Sequence, residues 1–284
     1  MSLWPRRYDS PGRGAVRAAA LALALVALCA GPARAALAPG DHRVALEHGG
    51  RQRSYIVHVP PAAREGRPLP VILNFHGGGG NAEGQQKYSR MDTLADAEGF
   101  LAVYPDGTGR MSDRLLTWNA GTCCAYSAAN NVDDVGFTLA LLADLEARQP
   151  VDRRRVYATG LSNGAMMAWR LAVEASDRIA AIAPVAGAKV LKAGGPARPV
   201  PVMHFHSVND PRALYAGGLG PPFPMTTLRV FHSAVEPTIR DWAATIGCPT
   251  DARVTAELQG QAGSREAGHT ATRYLWSPCR EGAE

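Results

Sequence analysis

Apolar residues along the chain fall in short, near-continuous runs separated by stretches with helical spacing. The runs at 71–75, 100–104, 155–159, 179–185 and 200–206 read as buried strands. A strand covered on both faces loses the in-out alternation of a half-exposed sheet, as parallel sheets require. Residues 43–47 and 54–59 alternate more, and predict an antiparallel hairpin that opens the sheet. Apolar positions at helical spacing over 134–148 predict a helix, with Asp133 or Asp134 as N-cap and Pro150 as stop. Two more helices are predicted, one directly after Ser162 and one over 235–246. Strands alternating with helices give an α/β fold with right-handed crossovers. There is no internal repeat, and the Gly- and Pro-rich stretches 194–201 and 217–224 read as lids or rims rather than domain linkers.

The first stretch follows different rules. Arg6, Arg7, Arg13 and Arg17 precede an apolar run over 18–30, and Ala33-Arg34-Ala35 supplies an A-x-A cleavage site. This is the layout of an export signal over 1–35, too short to span a bilayer. Cys29 follows the bulky Leu28, which argues against a lipid-anchored cysteine. Arg6-Arg7 lacks the closely following apolar residues of a twin-arginine signal. Removing the segment's five arginines and one aspartate takes the net charge from +5 to +1, so the basic balance belongs to the leader. Nothing then supports a nucleic-acid partner. The remaining region, 36–284, suits one large α/β domain. Its four cysteines, Cys123, Cys124, Cys248 and Cys279, favour disulfides in an exported chain, with three connectivities open. No His/Cys group has zinc spacing, so no metal is expected.

Chemistry enters at Gly160-Leu161-Ser162-Asn163-Gly164. A β-prone run, then G-x-S-x-G, then a helix-forming run is the layout of a nucleophile elbow. Ser162 is the candidate nucleophile. A serine hydroxyl is inert near neutral pH unless a base takes its proton and an acid orients that base. Asp210, in the loop beyond the strand at 200–206, is the candidate acid. Two backbone N–H groups are needed for the oxyanion. Asn163, directly after the serine, is one; Gly78, in His76-Gly77-Gly78-Gly79-Gly80-Asn81, is the other. That loop lacks G-x-G-x-x-G and a following Lys-Ser/Thr, so it is no phosphate cradle.

Further motifs follow in order: Tyr104-Pro105-Asp106-Gly107, Trp118-Asn119-Ala120-Gly121, Cys123-Cys124, Asn131-Val132-Asp133-Asp134-Val135-Gly136-Phe137, Tyr215-Ala216-Gly217-Gly218 and Cys279-Arg280-Glu281-Gly282-Ala283-Glu284. With the elbow and Phe75-His76-Gly77-Gly78, they make the chain resemble the secreted esterases that include poly(3-hydroxybutyrate) depolymerases and feruloyl and acetylxylan esterases. The match runs from about residue 45 to the last residue. The resemblance implies an α/β-hydrolase fold, a mostly parallel sheet flanked by helices. It implies Ser162 and Asp210 as triad members and a Cys248–Cys279 disulfide. It also places Trp118 and residues 133–136 near the cleft, against plainer roles as a core tryptophan and a helix N-cap.

The chain departs from the family at the base. The family's histidine lies in Gly-His-Thr-Trp-Pro-Gly, beyond the Cys-x-x-Gly-Ala-Glu segment in which this sequence stops. After Asp210 only His232 and His269 follow. His269 reads Gly-His-Thr but lacks Trp-Pro and precedes Cys279, in surroundings that suit an exposed loop. His232 is expected to begin a helical stretch. The expectation is a C-terminally shortened esterase without the last strand and histidine loop. It would hydrolyse hydroxyalkanoate or plant cell-wall polysaccharide esters through an acyl-Ser162 intermediate. The alternative is an impaired fragment, or a non-catalytic binding protein on a hydrolase scaffold. The expected setting is secreted or periplasmic, as a monomer, with an ester substrate, no cofactor and no membrane span.

Overall fold

The computed structural model describes Met1 and residues 36–191, 194–222 and 227–284. Apart from Met1, the predicted leader, with Cys29, lies outside the described residues.

Strand β1 (Gly40–His48) and strand β2 (Arg51–Val59) form the predicted antiparallel hairpin. Its two-residue turn, Gly49-Gly50, has φ of 57° and 69°, which the twist of a tight hairpin demands and glycine adopts without a steric penalty. Strands β3 (Leu69–Phe75), β4 (Leu101–Pro105), β5 (Val151–Leu161) and β6 (Ala181–Val185) complete a six-stranded sheet in the order β1-β2-β4-β3-β5-β6. β2 meets β4 antiparallel, and β4, β3, β5 and β6 run parallel. All five residues of β4 are buried, the signature of a strand covered on both faces.

The described α-helices are α1 (Ala82–Ser89), α2 (Met91–Glu98), α3 (Ala125–Ala129), α4 (Asp134–Glu146), α5 (Asn163–Glu174) and α6 (Val235–Thr245). Asp133 caps α4, its Oδ1 accepting the Gly136 N–H at 2.9 Å. α5 packs on β5 and β6 and is buried almost all round. Trp118, Trp169, Tyr55, Tyr104, Phe75 and Phe137 are the largest fully buried side chains among the described residues. Trp169 meets Trp242 edge-on at 5.3 Å, fixing α5 against α6. At the other sheet edge His58 bridges Asp41 (2.6 Å) and Asp96 (2.9 Å), tying the hairpin to α2.

The predicted strand at 200–206 is looser than expected. It makes isolated parallel bridges, Ile182–Val202 and Val185–Phe205, beside β6. Met203 and Phe205 donate to the Ile182 and Pro184 carbonyls (3.0 Å each), and on the other side the Val202 N–H donates to the Glu284 carbonyl (3.0 Å). A second correction concerns His232. It lies on β8 (Phe231–His232), which pairs with β7 (Gly218–Leu219), and the helix begins only at Val235. The hairpin of β9 (Arg253–Gln259) and β10 (Thr270–Leu275) was not expected. Both its faces are largely exposed, so no buried stripe marks it in the sequence. Cys248 and Cys279 are bonded to each other, as are Cys123 and Cys124. No helix among the described residues is long and apolar enough to cross a membrane.

Candidate active site

Ser162 joins β5 to α5 with φ 55° and ψ −115°. A side-chain-bearing residue held there costs about 1–3 kcal/mol, so the surroundings must impose it. They do so at both ends of the residue. The Ser162 N–H donates to the Val185 carbonyl (2.8 Å), and its carbonyl accepts the Met166 N–H (3.0 Å). The flanking glycines let β5 and α5 close on β3. A Cβ on Gly160 would stand 2.6 Å from the Phe75 carbonyl oxygen, and one on Gly164 would collide with the same atom. The Ser162 Oγ has no hydrogen-bond partner among the described residues.

Asn163 opens α5, and its side chain clamps the neighbouring loop. Oδ1 accepts the Trp118 N–H (2.7 Å), and Nδ2 donates to the Trp118 carbonyl (3.1 Å). The same carbonyl accepts the Cys124 N–H (3.0 Å). Trp118 is fully buried, and its Nε1 donates to the His76 carbonyl (3.0 Å). It is a core tryptophan that holds the loop after β3. In that loop a Cβ on Gly77 would meet the Ser162 Cβ at 3.7 Å, so the His-Gly-Gly segment borders the elbow. The Gly78 and Asn163 N–H groups donate to no other group among the described residues.

His76 was legible only as the head of the glycine loop. Its Nε2 accepts the Gly107 N–H (3.0 Å), which places its proton on Nδ1 for donation to the Gly77 carbonyl (2.7 Å). Burial pushes its pKa down to about 4, so it is neutral and structural.

Asp210 lies beyond Phe205, on a segment that runs parallel to β6. Ser162 and Asp210 therefore share one end of the sheet. Two strand spacings separate their positions, roughly 10 Å, a gap an imidazole can bridge. Asp210 Oδ1 accepts the Arg212 and Ala213 N–H groups (2.8 and 2.9 Å), which fix the carboxylate. Its Oδ2 lies 3.8 Å from His206 Nε2. That nitrogen donates to the Ala213 carbonyl (2.6 Å), and His206 Nδ1 then accepts from His204 Nε2 (3.1 Å). Both His206 nitrogens are engaged. Burial and the neighbouring His206 push the His204 pKa down to about 4.

Of the two later histidines, His232 comes within electrostatic reach of Asp210 and His206. Burial lowers its pKa, against the pull of Asp210, and its ring makes no hydrogen bond among the described residues. His269 is exposed in the β9–β10 connection. No described histidine hydrogen-bonds Ser162.

Asp133 and Asp134 divide their roles. Asp133 is the helix cap, and it also accepts from His48 (2.9 Å). Asp134 is fully buried, pairing with Arg53 Nη2 (2.8 Å) and accepting the Asn119 N–H (2.7 Å). The Arg53 guanidinium stacks 3.8 Å from the Phe137 ring centre. These partners lie 81 and 84 positions from Arg53 along the chain, so spacing could not reveal them.

A family model described as esterase PHB depolymerase matches residues 53–270. The chain belongs to this esterase family. Members hydrolyse carboxylic esters, and the chain has the α/β-hydrolase fold. The feruloyl esterase B of Piromyces equi is 31% identical over 205 residues, covering 69% of this chain and 36% of that protein. The bifunctional acetylxylan esterase/xylanase XynS20E of Neocallimastix patriciarum is 28% identical over 226 residues, covering 80% and 28%. The putative esterase NocK of Nocardia uniformis subsp. tsuyamanensis is 36% identical over 177 residues, covering 59% and 48%. The chain thus spans between about a quarter and a half of these relatives' lengths. Among solved structures, native pOPH superposes with a TM-score of 0.55 at 17% identity, covering 76% of this chain and 78% of that one, a likeness of fold.

Proposed function

We propose that the chain is an exported serine esterase in which Ser162 attacks the ester carbonyl, releases the alcohol and is then deacylated by water. The observation that carries this reading is the strained elbow at Ser162, with the Gly77 position against it and the Asn163 and Gly78 N–H groups undonated. Two such donors aimed at one oxygen are what a tetrahedral intermediate needs. Asp210, fixed by two backbone N–H groups at the same end of the sheet, is the orienting acid. The two disulfides agree with an oxidising compartment.

The proton acceptor sets the rate. A triad without its base keeps only what binding and the oxyanion donors supply, several orders of magnitude below a complete one, and no described histidine lies on the Ser162 hydroxyl. A second reading has one observation in its favour: His232 sits in the field of Asp210, and its lowered pKa keeps it neutral at pH 7, as a base must be. A p-nitrophenyl acetate assay of wild type, Ser162→Ala and His232→Ala separates them. The first reading expects slow hydrolysis that requires Ser162 and ignores His232. The second expects loss in both variants. Hydrolysis unchanged in Ser162→Ala would sink both, and none at all in the folded wild type would favour a non-catalytic scaffold.

A further inference from the structure

Strands β5 and β6 and the segment at 202–206 begin together, at the end of the sheet away from Ser162. Tyr157 pairs with Ala181, and Ile182 bridges Val202, so residues three or four positions earlier on each stretch come side by side. Those residues are Arg153 and Arg154, Asp177 and Arg178, and Arg198. With Ala180 they line a recess of about 420 Å³. Ser162 follows the far end of β5, more than about 20 Å away along the strand.

Four guanidiniums thus converge on one recess from three stretches of chain. Glu146, the last residue of α4, holds two of them as a pair. Its Oε1 accepts from Arg178 Nη2 (2.5 Å), and its Oε2 pairs with Arg153 Nη2 (2.7 Å). Arg198 is fixed by carbonyls, Nη2 donating to Ile179 (2.6 Å) and Nη1 to Pro199 (3.0 Å), and it meets no carboxylate among the described residues. Such contacts orient a guanidinium without neutralising its charge. Arg153 and Arg178 spend Nη2 alone, which leaves Nε and Nη1 over as donors. These donors are open to a ligand: the two side chains are 72% and 28% exposed, and no nitrogen of Arg178 or Arg198 is both buried and unpartnered. Five arginines, Arg153, Arg154, Arg155, Arg178 and Arg198, gather here with three carboxylates, Glu146, Asp152 and Asp177. That excess is larger than the +1 of residues 36–284 as a whole.

Forks arriving from several directions need an acceptor whose oxygens also point several ways. A planar carboxylate satisfies one fork edge-on, whereas a phosphate group turns three oxygens outward at once. The recess has room for about fourteen waters, more than one phosphate displaces. Its charges meet at one point rather than along a track, which favours a compact anion over a nucleic acid.

We propose that this recess binds a compact phosphorylated anion, a diphosphate or a phosphate monoester, at a site separate from Ser162. The inference goes beyond the esterase reading and stands without it.

Calorimetric titration of the full chain with inorganic pyrophosphate, and with citrate for comparison, tests it at about 0.15 M salt, where loose surface attraction is screened. The expected result is saturable pyrophosphate binding, tighter than that of citrate and weakened at least about tenfold in Arg198→Ala. It should be unchanged in Ser162→Ala and in Arg265→Ala, an exposed arginine of the β9–β10 connection. Absence of saturable binding, binding indifferent to Arg198→Ala, equal affinity for citrate, or loss in Ser162→Ala would overturn the proposal. Should Arg198→Ala fail to fold, Arg154→Ala carries the test, since its side chain is 91% exposed and can be removed without disturbing the core. About threefold weaker pyrophosphate binding in that variant supports the site, and unchanged binding refutes it.

Discussion

Asn163 holds Trp118 by both backbone groups, Oδ1 on the N–H at 2.7 Å and Nδ2 on the carbonyl at 3.1 Å. One residue thus supplies a candidate oxyanion N–H and fixes the loop beside it. Removing the amide strands the buried Trp118 N–H, while the carbonyl keeps the Cys124 N–H. Asn163→Ala should therefore cost about 1–3 kcal/mol in urea denaturation. It should also slow fluorophosphonate labelling of Ser162 by more than that loss of folded protein explains. Unchanged stability would show that the clamp is not formed.

The elbow tolerates no side chain at its glycines. In Gly160→Ala and Gly164→Ala the new methyl would press on the Phe75 carbonyl, which belongs to a core strand and cannot retreat. Both variants should be recovered largely unfolded or as aggregates, read by circular dichroism and size exclusion. By contrast Gly49→Ala, where a Cβ meets nothing within 4 Å, should lose only the turn's positive-φ preference, about 1 kcal/mol. A folded, soluble Gly164→Ala protein would mean that β5 and β3 are not packed as described.

Arg53 and Asp134 form a buried pair whose members need one another. Burial lowers the arginine's pKa and raises that of the aspartate, each opposed by the partner's charge. Arg53→Ala leaves a buried carboxylate uncompensated, and should cost about 3–5 kcal/mol. Arg53→Ala with Asp134→Asn should recover part of that loss. A single variant as stable as wild type would contradict the buried pair.

Histidines give stability two opposite pH dependences. His76 and His204 have folded pKa values lowered to about 4. Their contribution is complete above the unfolded pKa of about 6.5 and is lost as pH falls toward 4. His58 runs the other way: burial opposes its charge, but hydrogen bonds to Asp96 and Asp41 raise its pKa overall. Its contribution is complete below about 6.5 and is lost as pH rises through the folded value. Urea midpoints should show His58→Gln weaker than wild type near pH 6 and nearly equal to it near pH 9. His204→Gln should flatten the acid slope. A His58→Gln deficit that grows with pH would reverse the assigned sign.

The sheet and helices were legible where burial imposes a pattern. The hairpin at its edge and the strand runs before Ser162 follow from periodicity and end signals, as does a cap at Asp133 or Asp134, of which the structure uses Asp133. The β9–β10 hairpin was hidden because neither face is buried, and the segment at 202–206, despite its apolar run, makes isolated bridges to β6 and one hydrogen bond to the Glu284 carbonyl rather than a full ladder. The proposals for Ser162 and Asn163 rest on the nucleophile elbow, and that for Gly78 on the His-Gly-Gly loop after β3, each a pattern local in sequence. The Asn163 clamp on Trp118, the neutral His76 and the Arg53–Asp134 pair join residues some 30 to 80 positions apart, and no local signal announces them. His232 was misplaced at a helix start. Its proximity to Asp210 depends on the β7–β8 ribbon, two residues per strand and too short to read.

The central claim is that the elbow makes Ser162 a nucleophile. Labelling the folded 284-residue protein with a fluorophosphonate, and mapping the adduct by peptide mass spectrometry, tests it most directly. The account predicts a single modified residue, Ser162, and no adduct in Ser162→Ala. An unlabelled but folded wild type, or equal labelling of the alanine variant, would contradict it.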